Sequence, residues 1–178
     1  MTERFVVLTG GPGSGKSTLI DRLAGYGYAR SEEAGRGVIR DQMAIGGPAL
    51  PWNDPGLFAE LMLSWELRSY RMAEAAEGTV LFDRGVPDIV GYLRLEGLPV
   101  PDHVAGAARR FRYRSTVFIA PPWPEIYEHD GERRQSLDEA ERTYAAMVET
   151  YRGYGYELII LPRVSVEARA RFVVERLG

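Results

Sequence analysis

The residues with the clearest chemical signal form the segment Gly10–Ser17, which reads GGPGSGKS. This segment fits G-x-x-x-x-G-K-[ST] at every fixed position, follows an apolar run and opens a helical pattern. Its glycines let backbone N–H groups surround phosphate oxygens, and the helix N-terminus adds partial positive charge. Lys16 would reach the β- and γ-phosphates, and the Ser17 hydroxyl would bind Mg²⁺. The pattern predicts a site for ATP and Mg²⁺ made by Gly11, Pro12, Gly13, Ser14, Gly15, Lys16, Ser17 and Thr18.

Lys16 stands out in the composition as well, because it is the only lysine among the 22 basic residues. A GC-rich genome that favours arginine codons would explain the other positions. Arginine is planar and wide, whereas lysine carries a compact charge on a flexible stem. The surviving lysine therefore indicates a position that needs the compact group.

The segment Thr79–Asp88, which reads TVLFDRGVPD, bears on what is done with the triphosphate. A remodelling ATPase would end this strand in Asp-Glu and would need a further helical domain. A GTPase switch would need Asn-Lys-x-Asp, which a chain with one lysine cannot contain. A small-molecule kinase needs an acidic residue near the transferred phosphate. Asp83 fits that need at the carboxyl end of a strand, and Arg84 would bind substrate or phosphate.

The hydrophobic periodicity predicts five strands that alternate with helices. The strands are expected at Phe5–Thr9, Tyr28–Ser31, Thr79–Phe82, Thr116–Ala120 and Glu157–Leu161, and the second is the weakest. The helices are expected at Gly15–Leu23, Ala34–Ala44, Pro55–Glu77, Pro87–Leu95, Asp102–Arg112, Ser136–Tyr151 and Ser165–Leu177, with Ser136–Glu139 as a capping box. This alternation predicts a three-layer α/β fold, a five-stranded parallel sheet with helices on both faces, in one domain over residues 1–178.

The composition limits which binding partners and which cellular compartment we expect for this protein. The net charge of −3 offers no electrostatic attraction for nucleic acid or for an anionic membrane. Cysteine is absent, which excludes disulfides, zinc-thiolate sites and cysteine nucleophiles. The apolar run near the N-terminus is too short for a membrane span and lacks the cleavage region of a signal peptide. We expect a cytoplasmic protein.

Four motifs together resemble the AAA-type predicted ATPase/kinase family, which includes the nicotinamide riboside kinase domain and is related to thymidylate and deoxynucleoside kinases. These motifs are GGPGSGKS, EEAGR after the second strand, DRGVPD after the third strand and the late ERRQS. The resemblance spans nearly the whole chain. It implies transfer of the γ-phosphate of ATP to a hydroxyl of a small molecule, with a nucleoside-like acceptor as first choice. An ATPase or nucleotide-dependent regulator without an acceptor is the alternative, and a homodimer is left open.

The resemblance also implies roles for individual residues. A lid over about residues 122–136 would bring Arg133 and Arg134 to the migrating phosphoryl group, although a solvated loop is the alternative there. Glu33, with Glu32 as the near alternative, matches the acidic residue beside the acceptor hydroxyl, and Arg36 and Arg84 would contact substrate. An Arg-Glu-Pro motif does not follow the second strand, which argues against a thymidylate substrate.

Several roles stay open between two interpretations. Glu33 is assigned as the base and Asp83 as the carboxylate on the metal side, but the reverse assignment is equally compatible with the sequence. Glu33 could also only complement the dipole of the following helix. Asp88 either caps the next helix or contacts substrate, with capping favoured. The aromatic residues either line an acceptor pocket or belong to the core: Trp52, Phe58, Trp65 and Tyr92. Residues Pro162–Ser165 are expected to pack on adenine.

Overall fold

The structure is a computed structural model that describes residues 2–127 and 134–178. Its centre is a five-stranded parallel sheet with the strand order β2-β3-β1-β4-β5. The strands are β1 Phe5–Gly10, β2 Ala29–Arg30, β3 Val80–Asp83, β4 Thr116–Ala120 and β5 Glu157–Ile160. All five predicted strands are confirmed, and β2 is reduced to two residues.

Eight α-helices connect and cover the strands in the described part of the chain. They are α1 Lys16–Ala24, α2 Ala34–Ile45, α3 Pro55–Ala75, α4 Val86–Leu95, α5 Asp102–Arg110, α6 Pro124–Tyr127, α7 Arg134–Gly153 and α8 Val166–Leu177. A short 3₁₀ helix, Thr2–Arg4, precedes the sheet. None of the described helices combines the length and the apolar character that crossing a membrane requires.

The central strand β1 is buried at every position because it lies between β3 and β4. Alternate residues of the sheet face opposite layers. Phe5 and Val7 belong to the larger apolar cluster, with residues of α3, α4, α5 and α7. Val6 and Leu8 belong to the smaller cluster, with residues of α1 and α8. The predicted three-layer architecture is therefore confirmed, and the continuous apolar run of β1 follows from burial on both faces.

Two helix predictions were wrong in detail. Helix α7 begins at Arg134, so Ser136 lies inside the helix instead of capping it. The SLDE spacing meets the sequence requirement for a capping box, but the hydrogen-bonded turns start two residues earlier. The sequence also did not predict the short helix α6 after β4.

The start of α3 follows the usual rules for helix N-termini. Asp54 accepts a hydrogen bond from the Leu57 N–H at 2.9 Å, and Pro55 is the first helical residue.

Candidate active site

The loop between β1 and α1 has the backbone shape that phosphate binding requires. Gly13 and Gly15 adopt positive φ values of 66° and 74°, a region that residues with side chains rarely enter. The Ser14 hydroxyl donates to the Gly11 carbonyl at 2.9 Å and closes the loop on itself. A Cβ atom at Gly11 would lie 2.8 Å from the Ala140 carbonyl oxygen, so α7 packs directly against the loop. The shape of the loop is therefore set by its own glycines and by the packing of α7 against it.

Lys16 and Asp83 meet at the carboxyl edge of the sheet. Lys16 begins α1, Asp83 ends β3, and β1 and β3 are neighbours with Leu8 in register with Asp83. The Lys16 Nζ donates a hydrogen bond to Asp83 Oδ1, and both side chains are buried. Burial lowers the pKa of Lys16, and the positive charge of Arg84 lowers it further, whereas Asp83 opposes the shift. The structure thus brings these two predicted site residues into direct contact.

Ser17 and Thr18 follow Lys16 at the start of α1, where Ser17 is half-buried and Thr18 is exposed. Across the described residues, no group of three or more histidine, aspartate or glutamate side chains is arranged to hold a metal ion. Magnesium in phosphate sites is usually bound by one or two protein oxygens, with substrate phosphates as further ligands. The Ser17 hydroxyl and the Asp83 carboxylate fit such a sparse ligand set.

Arg84 has an unusual backbone conformation and links two carboxylates. Its φ is 72°, and it is the only non-glycine residue with positive φ in the described part of the chain. Its Nε lies 3.5 Å from Glu33 Oε1, and its Nη1 lies 3.4 Å from Asp88 Oδ1. Such backbone strain is often kept where a side chain must point in one functional direction. Here the strained turn holds a guanidinium between two acidic groups.

Glu33 is the last residue before α2, and its side chain is largely buried between two arginines. Arg36 Nε lies 3.0 Å from Glu33 Oε2, while Arg84 approaches the other oxygen. The Arg36 side chain itself is mostly exposed. The neighbouring Glu32 is exposed and is not part of the cavity wall described below. The geometry therefore favours Glu33 over Glu32 as the acidic residue of the site.

Asp88 does cap the helix, as the sequence favoured. The Gly85 N–H donates to Asp88 Oδ2 at 2.9 Å, which satisfies the N–H of the residue that precedes α4. The Tyr151 hydroxyl donates to the same oxygen at 2.6 Å, and the Thr9 hydroxyl donates to Oδ1. Asp88 also lines the cavity, so the capping and substrate interpretations do not exclude one another.

A cavity of about 420 Å³ adjoins the phosphate loop and lies between α2, α3, α4 and α7. Pro12 of the loop forms part of its wall. This volume lies within the range of about 300–1,000 Å³ that small-molecule sites usually have. Its polar lining residues are Glu33, Arg36, Glu66, Arg84, Asp88, Glu96, Glu139, Arg142 and Thr143, and its apolar wall includes Ile39, Phe58, Met62, Ile89, Tyr92 and Met147.

Of the four aromatic residues that could line a pocket or belong to the core, two line the cavity and two do not. Phe58 and Tyr92 line the cavity, with their rings edge to face at 5.4 Å between centroids. Trp65 packs against the larger apolar cluster, and the side chain of Trp52 is exposed. The helical spacing alone could not separate Phe58 from Trp65, because these two residues are seven positions apart on one face of α3.

Glu66 is a cavity residue that the sequence analysis missed. It is 2% exposed, and its Oε2 has no hydrogen-bond partner among the described residues. Burial raises its pKa well above the ordinary value, and the charges of Asp88 and Asp83 raise it further. The signal was present in the sequence: Phe58, Met62 and Glu66 recur every four residues, so a carboxyl interrupts an apolar stripe.

Arg169 is a second residue that the sequence analysis missed. It is buried in α8, where its Nη1 donates to the Ser14 carbonyl at 2.6 Å and its Nε donates to the Pro162 carbonyl at 2.6 Å. Its guanidinium also lies 4.6 Å from the ring centre of Trp123. Arg169 thereby ties the loop after β5 to the phosphate loop. That places Pro162 near the nucleotide side, while the predicted adenine contact of residues Pro162–Ser165 stays a prediction.

The central part of the predicted lid, residues 128–133, lies outside the residues that the structure describes. Arg133 lies outside the described residues, and only the backbone of Arg134 is described, as the first residue of α7. The assignment of these two arginines to the migrating phosphoryl group stays a prediction.

Comparison with known proteins identifies one matching family and several solved structures with a similar fold. A family model described as an AAA domain matches residues 5–169. A search of curated proteins gave no match. Among solved structures, the chain resembles deoxyadenosine kinase from M. mycoides with the products dCMP and a flexible dCDP bound, with a TM-score of 0.60, 13% identity, and 97% of this chain and 98% of that chain covered.

Two further structures are similar. NadR protein in complex with NR has a TM-score of 0.65 and 18% identity, with 97% of this chain covered and 51% of that chain, so the chain spans about half of its length. Shikimate kinase from Acinetobacter baumannii in complex with shikimate has a TM-score of 0.52 and 13% identity, with 97% and 92% covered. At these identities the likeness shows a shared P-loop kinase fold.

Proposed function

The chain belongs to the AAA domain family, whose model spans residues 5–169, and from that premise we propose that it transfers the γ-phosphate of ATP to a hydroxyl of a small molecule. The observation that carries this proposal is the position of the cavity. It adjoins the phosphate loop at Pro12 and contains Glu33, Arg84 and Asp88 in its wall. An enzyme that only hydrolyses ATP needs room for one water molecule beside the γ-phosphate, whereas about 420 Å³ admits a second substrate.

The two sides of the site support a division of roles. Lys16, Ser17 and Asp83 lie on the side of the phosphate loop, where Lys16 would bind the β- and γ-phosphates. Glu33 and Arg84 lie on the side of the cavity. We therefore assign Asp83 to the metal and phosphate side and Glu33 to the acceptor hydroxyl.

Magnesium, when bound, would neutralise the charge that develops on the transferred phosphoryl group. Phosphoryl transfer passes through a loose transition state, so the protein contributes positioning and charge stabilisation more than strong base catalysis. Glu33 fits that requirement, because two arginines hold its carboxylate in one orientation at the cavity wall.

The structural relatives support a hydroxyl acceptor by analogy. A deoxyadenosine kinase, an NR-bound NadR protein and a shikimate-bound kinase share this fold. Deoxyadenosine and shikimate, which two of these names carry, are alcohols of modest size. A nucleoside-like alcohol is our first choice for this chain.

The test is a transfer assay with γ-labelled ATP, Mg²⁺ and a panel of nucleosides and other metabolite alcohols. We expect one acceptor class to raise ATP turnover sharply and to carry the label. If the label appears only in inorganic phosphate with every alcohol, the chain is an ATPase or a regulator and the proposal is wrong.

A further inference from the structure

Two polar atoms in the wall of the cavity have no partner. Among the described residues that line the cavity, Glu66 Oε2 and the Tyr92 hydroxyl are out of contact with solvent and make no hydrogen bond. A buried polar group without a partner costs about 1–3 kcal/mol, and proteins keep few of them. Two such atoms in the wall of one cavity point to a ligand that supplies their partners.

The two atoms mark opposite parts of the cavity. Glu66 interacts electrostatically with Asp88, Asp83 and Glu33, which places it at the reactive end. Tyr92 packs on Phe58, which precedes Glu66 by eight residues on α3, or about 12 Å along a helix that rises about 1.5 Å per residue. The aromatic pair of Phe58 and Tyr92 therefore lies away from the phosphate loop, in a part of the wall that Glu96 also lines.

We propose that Glu66 is a specificity-determining residue of the acceptor site, where its carboxyl hydrogen-bonds a hydroxyl other than the one that receives the phosphate. The site then selects an uncharged polyol that carries a flat apolar group. This proposal rests on the proposed function only in taking the cavity as the acceptor site. A protonated carboxyl both donates and accepts, as a hydroxyl does, so the two groups are matched partners.

The charges around Glu66 favour an uncharged acceptor over a phosphorylated one. Three carboxylates and one described arginine act on it, and that arginine, Arg84, already pairs with Glu33 and Asp88. An anionic group beside Glu66 would meet the charges of these carboxylates in a partly desolvated site, and the other arginines of the cavity wall, Arg36 and Arg142, are not among the charges that act most strongly on Glu66. Nucleosides and aryl glycosides fit this environment, whereas nucleoside monophosphates do not fit with the phosphate at Glu66.

The test measures binding without turnover. Equilibrium dialysis with Mg²⁺ and a non-hydrolysable ATP analogue would use adenosine, cytidine, guanosine and uridine, their 2′-deoxy and 3′-deoxy forms, and their 5′-monophosphates. The variants are Glu66→Leu, Glu66→Gln and a matched control on the same helix, Glu60→Gln, at an exposed position that pairs with His103.

We expect Glu66→Leu to weaken binding of the preferred nucleoside about tenfold, the scale of one buried hydrogen bond. The deoxy form that lacks the contacted hydroxyl should bind wild type about as weakly as the nucleoside binds Glu66→Leu. Its own affinity should be the same for wild type and for Glu66→Leu. Glu66→Gln, which keeps a donor and an acceptor, should stay within about threefold of wild type, and Glu60→Gln should bind as wild type does.

Three results would overturn the proposal: an equal loss for every analogue in Glu66→Leu, tighter binding of a monophosphate than of its nucleoside, or no binding by any nucleoside. If Glu66→Leu does not fold, infrared spectroscopy replaces it. The carbonyl band that disappears in Glu66→Gln must shift when the nucleoside binds but not when its deoxy form binds, and an unmoved band refutes the contact.

The same samples separate the two proposals. Glu66-dependent binding without transfer of labelled phosphate would refute the kinase function and support the assigned contact. Transfer to an acceptor that is insensitive to Glu66→Leu would support the kinase function and refute the contact.

Discussion

Backbone groups from one continuous segment form the phosphate loop, whereas side chains that come mainly from four helices line the cavity beside it, our proposed acceptor site. In the loop, Gly13 and Gly15 set the shape and Lys16 is neutralised by Asp83. In the cavity, Arg84 is shared between Glu33 and Asp88, and Glu66 Oε2 has no partner among the described residues.

Under the proposed function, this difference reflects what each region would have to recognise. A triphosphate is the same in every such protein, so a short segment with fixed geometry is sufficient. An acceptor differs between proteins, and its pocket is built from side chains that can change separately. Substitutions in the loop should therefore abolish the reaction for any acceptor, whereas substitutions in the cavity should change which acceptor is used.

The largest effect is expected at Lys16. Lys16→Ala should lower kcat by at least ~10³-fold, because the positive charge that would stabilise the transferred phosphoryl group is lost. Lys16→Arg should fail as well, since the wide guanidinium does not fit beside Asp83 inside the loop. Transfer assays with circular dichroism as a folding control check this. An arginine variant with most of the wild-type activity would show that compactness is not what the position needs.

The second prediction compares the two carboxylates across the site. Asp83→Asn should leave ATP affinity nearly intact and lower kcat by at least ~10²-fold, the scale of a lost catalytic carboxylate. Glu33→Gln should lower kcat and also change the acceptor KM, because Glu33 lines the cavity. Steady-state kinetics with both substrates varied measures this. If Asp83→Asn only lowers the melting temperature and activity per folded molecule is normal, Asp83 is structural.

The third prediction concerns the buried carboxyl of the cavity. The folded-state pKa of Glu66 is raised above its ordinary value of 4.5, so between these two values the folded protein holds a proton that the unfolded chain has released. Wild-type stability should therefore fall as pH rises through this window, by up to ~1.4 kcal/mol per pH unit, and Glu66→Gln should not share that loss.

Urea unfolding at about pH 5 and about pH 7 measures the difference, with Glu74→Gln, at an exposed position of the same helix, as control. The advantage of Glu66→Gln over wild type should be larger at the higher pH. Equal pH dependence in wild type and Glu66→Gln would mean that Glu66 is ionised in the folded protein.

The smallest effect concerns stability, and it is expected from the backbone conformation at Arg84. Arg84→Ala and Arg84→Gly remove the same guanidinium, so both should reduce phosphoryl transfer to a similar extent. Only glycine relieves the cost of positive φ, and Arg84→Gly should be more stable than Arg84→Ala by about 1 kcal/mol. Thermal or urea unfolding of the pair checks this. Equal stability would show that the strained turn relaxes once the side chain is gone.

Much of the fold was predictable because its signals are local. The five strands and their alternation with helices follow from apolar runs bounded by glycines, and the phosphate loop follows from a fixed pattern of residues. The errors arise where local rules compete. Ser136 has capping-box spacing but lies inside α7, because the first turn of that helix forms at Arg134.

The sequence by itself determined the phosphate loop and its lone lysine, because both follow from a local pattern of residues. The contact of Lys16 with Asp83 depends on the pairing of β1 with β3, which only the tertiary structure decided. Only the tertiary structure decided that Glu66, Phe58 and Tyr92 face one cavity, and that Arg169 binds the Ser14 carbonyl from 155 residues away along the chain. Such contacts join helices through packing, and no spacing within one helix records which neighbour its buried face will meet.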